Sequence, residues 1–292
     1  MDVSVIIPSL NAPTRARALA ALAAQREPPA EVIVVGRDEA GALAAFPHVR
    51  FIDTGAPACA ARARNLGLNA ATSELLLLLD ADCIPRPDWL SRHRARHAAG
   101  ETVVGGAVAL SGSNFWAQSD NVSMFHEFGP GLPAGPRRLL PTLNLSLRRD
   151  IFVAVGGMDE TFPGAAAEDA DWTIRIRRAG HRLWFDPAAV VAHAPARTTW
   201  GDVVRHWRNL GHNAVRVRLR YPDEFDTPDG ARHAWWWRLL SPLIAARVTA
   251  GVYAKRPLWP HWPSLPVVYA TKMIYCFGAA KSIDSGFALS NE

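Results

Sequence analysis

Asp80 and Asp82 close the stretch "SELLLLLDADC", Ser73 to Cys83, in which five leucines run straight into two carboxylates one residue apart. Residues i and i+2 of a strand point to the same side. The two acids therefore share a face at the end of a buried strand, or sit in the turn just beyond it. Like charges held this close repel unless a cation lies between them. Carboxylates with few other ligand types suit a hard divalent ion such as Mg²⁺ or Mn²⁺, which keeps waters and takes further ligands from phosphates. The plain alternative is the solvated start of a loop.

A second acidic group, "EDADW", supplies Glu168, Asp169 and Asp171. Acids in the first turn of a helix are favoured by its dipole and its unpaired N–H groups, and Asp171 can pair with Arg175 at i+4. The chemical reading makes one of these acids a general base in a cleft opposite the metal. His193, at the end of "VVAH", is either a third metal ligand or a satisfied strand-end histidine. His93 and His97 have the i, i+4 spacing of a zinc pair, but they lie among Arg92, Arg94 and Arg96 with no acid nearby. They read as a solvated basic face.

The elements that must position these groups follow from periodicity. "VSVIIPSLN" is a buried strand stopped by Pro8, "TRARALAALAAQ" a helix, "AEVIVVG" and "VRFIDT" further strands, and "CAARARNLGLNAA" an alanine-rich helix before the leucine strand. Strand–helix alternation with short connections predicts a parallel sheet covered by helices, with ligands at the carboxyl ends of strands. "PRPDWLSRHRARHAA" is another helix and "TVVGGAVAL" a strand. A loop-rich region through "FGPGLPAGPRR" then leads to "TLNLSLRRDIFVAVGGMDE". A helix begins in "AAEDADWTIRIRRAG" with Gly180 as its stop. Two short strands follow at "HRLWF" and "AVVAHA", and from Thr198 the pattern is helical.

The 292 residues are 49% hydrophobic and 20% charged, which fits a folded globular chain and argues against disorder. Cys59, Cys83 and Cys276 are scattered, as expected for reduced thiols. The first residues lack a basic segment followed by a long apolar run, so a cytoplasmic location is expected. Of the net charge of +5, all is carried by residues 232–292, where seven Lys/Arg face Asp284 and Glu292. The same segment holds five of the eleven tryptophans. Basic residues interleaved with tryptophan suit a membrane–water interface, and the four prolines of Pro257–Thr271 argue against a spanning helix there. With the remainder near neutral, no nucleic-acid partner is expected. No P-loop, G-x-G-x-x-G or G-x-S-x-G motif is present.

The blocks "VSVIIPSLN", "EVIVVG", "ARARNLGLNAATSELLLLLDADC", "NLSLRRDIFVAVGGMDETF", "EDADWTIRIRRAGHRLWFDPAAVVAH" and a helix with "RHWRNLG" occur in an order and spacing that resembles the family-2 glycosyltransferases over roughly residues 2 to 215. The resemblance implies an α/β GT-A fold, a Rossmann-like nucleotide-sugar-binding sandwich with a mostly helical C-terminal extension. It divides the chain into a nucleotide-sugar-binding half (1–100), an acceptor-binding half (101–197) and a helical, basic region (198–292). It implies an inverting, metal-dependent transfer of one sugar from a nucleotide-diphosphate sugar to an acceptor hydroxyl. Asp80 and Asp82 match the motif that holds Mg²⁺ or Mn²⁺ on the donor diphosphate, with His193 at a position near metal or diphosphate. Asp169 matches the base, with Glu168 beside it. Pro8, Ser9 and Asn11 match the loop around nucleobase and ribose, and Arg64 and Asn65 the helix start beside the nucleotide.

Two departures shape the expectation. Many relatives follow the second strand with "DDGS", whose carboxylate contacts the nucleobase; here Gly36, Arg37 and Asp38 stand there. The Q-x-x-R-W motif of processive synthases is replaced by Arg205, His206, Trp207 and Arg208, which favours transfer of a single sugar. The expected setting is envelope polysaccharide or glycolipid synthesis on a lipid-linked or saccharide acceptor, peripheral on the inner face of the cell membrane. Two rival readings are a non-catalytic GT-A-like scaffold subunit and a magnesium-dependent phosphohydrolase. The latter places its D-x-D after the first strand with Thr or Val two residues on, where this chain has Ile84 after the fourth.

Overall fold

A computed structural model describes residues 1–164 and 166–289; Glu292 lies outside them. In chain order the elements are β1 (Val3–Leu10), α1 (Arg15–Ala23), β2 (Glu31–Arg37), β3 (Arg50–Asp53), α2 (Ala60–Ala70), β4 (Leu75–Leu79), β5 (Cys83–Pro85), α3 (Trp89–Ala98) and β6 (Val103–Ala109). They continue with α4 (Phe115–Phe125), β7 (Gly135–Pro136), β8 (Asn144–Arg148), α5 (Arg149–Val155), α6 (Glu168–Arg178), β9 (Leu183–His193), α7 (Trp200–Arg220), α8 (Ala234–Tyr253) and α9 (Leu265–Asp284). Two compact units result: Met1–Ala109 with Phe128–Ala194, and Leu110–Glu127 with the chain from Pro195. The division into halves by chain order therefore differs from the spatial grouping, in which Leu110–Glu127 joins the C-terminal helices.

The first unit is built on one sheet of order β3-β2-β1-β4-β8-β6-β9-β5, with β7 also on β9. All five leucines of β4 are buried, because the strand lies between β1 and β8 with both faces covered. The sheet is parallel from β3 to β4, but β8 runs antiparallel to both β4 and β6. The expected all-parallel sheet is thus a mixed one, since β8 arrives by the long excursion of residues 110–143 and not by a helical crossover. Helix α2 lies close on β1 and β2: a Cβ on Gly67 would stand 2.3 Å from Ile6 Cγ2.

Other local expectations change too. Pro8 does not stop β1, which runs on to Leu10. Pairing with β4 ends at Ile6, so the missing N–H falls where no second neighbour needs it. "HRLWF" and "AVVAHA" form one eleven-residue strand. His93 and His97 are buried, not solvated. Helix α3 turns Trp89, Leu90, His93 and His97 inward. His93 Nδ1 and His97 Nε2 each lie 2.7 Å from Ser146 Oγ, and His93 Nε2 is 3.0 Å from Asn144 Oδ1. Burial lowers both imidazoles to about 4, so they serve as neutral hydrogen-bonding groups of the core.

In the second unit, the segment read as loop-rich contains α4. Asn114 caps it by accepting the Ala117 N–H at 3.0 Å. Its buried positions include Ser119, Asp120, Asn121 and Ser123, so a hydrophobic period does not reveal it. Asp120 accepts from Arg197 Nε at 2.7 Å and Trp207 Nε1 at 2.8 Å. Helix α7 opens with a capping box between Thr199 and Asp202. Its residues Val215 and Leu219 share an apolar cluster with Trp237 of α8 and Cys276, Ala279 and Ile283 of α9.

Candidate active site

Asp80 and Asp82 lie in the turn between β4 and β5. The Cys83 N–H donates to the Asp80 carbonyl at 2.9 Å and closes it. Thr14 Oγ1 donates to the Ala81 carbonyl at 3.1 Å. Strand β5 pairs antiparallel with β9, Cys83 opposite His193, and the Ala194 N–H donates to the Asp82 carbonyl at 2.8 Å. This pairing brings His193 Nε2 to 3.4 Å from Asp82 Oδ2. Asp80 turns to another partner: Arg64 Nη2 donates to its Oδ1 at 2.7 Å.

Arg64 joins the two acidic groups. Its buried guanidinium also donates from Nη1 to Glu168 Oε1 at 2.6 Å. Glu168 opens α6 just after Ala167, whose backbone is left-handed (φ 74°) and costs an L-residue energy. Glu168 Oε2 and Arg64 Nε are buried without a hydrogen-bond partner among the described residues. Burial pushes the Glu168 carboxyl up to about 7; Arg64 opposes the rise and Asp169 adds to it. Asp169, half-buried beside it, is also raised by burial, against the pull of Arg64 and a hydrogen bond from the Ala170 N–H at 2.8 Å. The same neighbours keep Arg64 firmly charged. Asp171 instead pairs with Arg175 at 2.9 Å, the helical ion pair its spacing predicts.

The remaining sequence candidates fall around the end of β1 and along α2. Ser9 Oγ accepts from Arg15 Nη1 at 3.2 Å. Asn11 has a left-handed backbone (φ 52°), and its Oδ1 accepts the Glu39 N–H at 3.0 Å. Pro8 is half-buried in β1. A Cβ at Gly36, where φ is +141°, would stand 2.0 Å from the Ser9 carbonyl oxygen, so the backbones meet too closely there for a side chain. Asp38 is committed to the fold: it pairs with Arg15 and accepts the N–H groups of Ala42 and Leu43 at 3.1 and 2.8 Å. Asn65 is bound to the segment after α5, donating to the Met158 carbonyl and to Glu160 Oε1, each at 2.9 Å, and accepting the Met158 N–H at 2.8 Å.

The double pairing of Arg64 is the feature sequence reasoning missed. A signal was present: Arg64 lies on the same α2 face as Ala61, Gly67 and Leu68, and an arginine on a small, apolar helix face needs buried acids. For a metal, no three His, Cys, Asp or Glu side chains converge into a preformed cluster among the described residues. The 3.4 Å between Asp82 Oδ2 and His193 Nε2 is close to the roughly 3 Å edge between ligands of a small octahedral ion. A hard ion that completes its shell with water and diphosphate oxygens fits these residues. A closed structural zinc site does not.

The model of "Glycosyl transferase family 2" matches residues 4–158, and the chain belongs to this family. It is 31% identical over 186 residues to the pre-mycofactocin glycosyltransferase of Mycobacterium tuberculosis, covering 60% of this chain and 39% of that protein. It is 28% identical over 158 residues to glycosyltransferase AglE of Haloferax volcanii, covering 53% and 50%. The chain thus spans about two fifths to one half of the length of these curated relatives. In structure it is similar to a mannosyltransferase from Pyrobaculum calidifontis in complex with GDP-Man and Mn²⁺ (TM-score 0.63, 18% identity, 99% of this chain and 88% of that one). It is also similar to S. aureus TarS 1-349 with UDP-GlcNAc (TM-score 0.54, 18% identity, 98% and 92%). The fold is GT-A, with a helical C-terminal region.

Proposed function

We propose that the protein transfers a single sugar from a nucleotide-diphosphate sugar to an acceptor hydroxyl, with inversion at the anomeric carbon. One observation carries the reading. Buried Arg64 ties Asp80 to Glu168, beside Asp169, and so holds the D-x-D turn and the E-D helix start in one site. Asp80, Asp82 and His193 would hold Mg²⁺ or Mn²⁺, and a divalent ion there neutralises charge on the departing diphosphate. The GDP-Man and Mn²⁺ bound by the mannosyltransferase support this class of donor and ion.

Asp169 takes the proton of the acceptor hydroxyl as its oxygen bonds to the anomeric carbon, while the bond to the diphosphate oxygen breaks and the nucleotide leaves with that electron pair. Glu168, anchored on Arg64, fixes the start of α6 and lines the acceptor side. Pro8, Ser9 and Asn11 flank the nucleoside. Asp38 is engaged with Arg15, so base recognition falls to other groups of the β1 and β2 ends. The acceptor is a saccharide or lipid-linked hydroxyl of the cell envelope, reached from the cytoplasmic side of the membrane. Asp169→Asn tests the assignment of the base: donor binding by calorimetry should persist while transfer falls about 10²–10⁴-fold. Undiminished transfer would overturn it.

A further inference from the structure

Helix α8 is built inside out. The face it packs on its neighbours carries Ala234, Trp237, Ser241, Ala245 and Thr249, mostly small or hydroxylic side chains. The opposite face carries Trp235, Leu239 and Leu243 at i, i+4, i+8, and these are 56%, 70% and 68% exposed. A helix that is apolar all round must bury every side, and only one side of α8 is covered within its unit. The next segment extends the same chemistry. Trp259 and Trp262 are 57% and 70% exposed, on a proline-rich turn that is held firmly: Trp259 Nε1 donates to the Tyr253 carbonyl at 2.9 Å and Tyr253 OH to the His261 carbonyl at 3.0 Å.

We infer that this face of α8, with the Trp259–Trp262 turn, seats the protein on an anionic lipid surface. The charge pattern selects lipid over another protein surface. Arg247 and Arg256 are exposed along and beside the apolar residues, Arg238 is exposed but paired with Asp284, and Asp284 and Glu292 are the sole acids of residues 232–292. Large apolar groups rimmed by arginine and indole match the acyl boundary, the phosphate layer and the headgroup depth of a bilayer. Among the described residues no helix is long and apolar enough to cross a membrane, so the helix lies along the surface, where its 20 residues span about 30 Å. The inference rests on the peripheral-membrane part of the reading above and not on the transfer chemistry, which a separate activity assay follows.

The test is co-sedimentation of the whole chain with vesicles of phosphatidylcholine containing phosphatidylglycerol, and with phosphatidylcholine alone. Wild type should sediment with the anionic vesicles and more weakly with the neutral ones. The triple variant Trp235→Ser, Leu239→Ser, Leu243→Ser should partition about a hundredfold or more less well, with an unchanged melting temperature because these side chains are exposed. Arg247→Glu with Arg256→Glu should reduce binding to the anionic vesicles alone. Wild type that stays in the supernatant, or a triple variant that binds as wild type does, would overturn the inference. So would a lipid-free dimer that the triple variant dissolves, since the face would then join two copies of this chain.

Discussion

Glu168 is where the physics of single residues is most exposed to measurement. Its carboxyl is raised to about 7 from an ordinary 4.5, first by burial. Between those values the folded protein holds a proton that the unfolded chain has released, so stability falls as pH rises through this window and levels off above it. Melting temperature measured without metal should therefore drop from about pH 5 to about pH 7.5, and Glu168→Gln should flatten that drop. An identical slope in the variant would contradict the burial. At this scale the sequence pointed to the acids that the structure gathers around Arg64 and His193, because carboxylates at the end of a leucine strand and at a helix start are costly unless used. It could not say which partner each acid takes. Asp80 and Asp82 sit in a turn, so the period-two rule of strands does not govern them: one goes to Arg64 and the other to His193. His93 and His97 misled for the converse reason. Their arginine neighbours suggest a solvated basic face, yet Arg94 and Arg96 are half-buried and paired with Glu27 and Asp186, while Ser146 and Asn144, some fifty residues away, satisfy the histidines.

Between elements, Arg64 is the clamp. It projects from α2 and joins the end of β4 to the start of α6, and the close approach of α2 at Gly67 sets its reach. Arg64→Met should leave a buried carboxylate without its cation and cost about 3–5 kcal/mol in urea unfolding. Adding Glu168→Gln should recover part of that loss; no recovery would mean that the arginine acts mainly through packing. The elements themselves were legible where periodicity was clean, as in β1, β2, α2, β4 and α6. Helix α4 was not, because its buried face is polar and Ser119, Asp120 and Ser123 are satisfied by residues distant in sequence, namely Ser264, Arg197 with Trp207, and Thr271. The direction of β8 was equally hidden: an apolar strand reads the same whichever way it runs.

On the scale of the molecule, helices α8 and α9 are part of a core and not an appended tail. Trp237, Cys276, Ala279 and Ile283 cover Val215 and Leu219 of α7. Deleting residues 232–292 should therefore yield aggregated protein, read by light scattering, whereas a soluble, monodisperse truncation would contradict that packing. The basic, Trp-rich composition correctly marked this region as unusual, but composition alone cannot separate the side that packs from the side that is exposed. The central claim is that the D-x-D turn binds a nucleotide diphosphate through a divalent ion. The most direct measurement is a thermal-shift panel of UDP, GDP, dTDP and CDP, each with and without Mn²⁺, on wild type and on Asp82→Ala. A bound nucleotide at a hundred times its dissociation constant adds about 2.7 kcal/mol of stability. One diphosphate should stabilise wild type with Mn²⁺ alone and leave Asp82→Ala unmoved; stabilisation by none of the four, or equal stabilisation without metal and in the variant, would contradict the account.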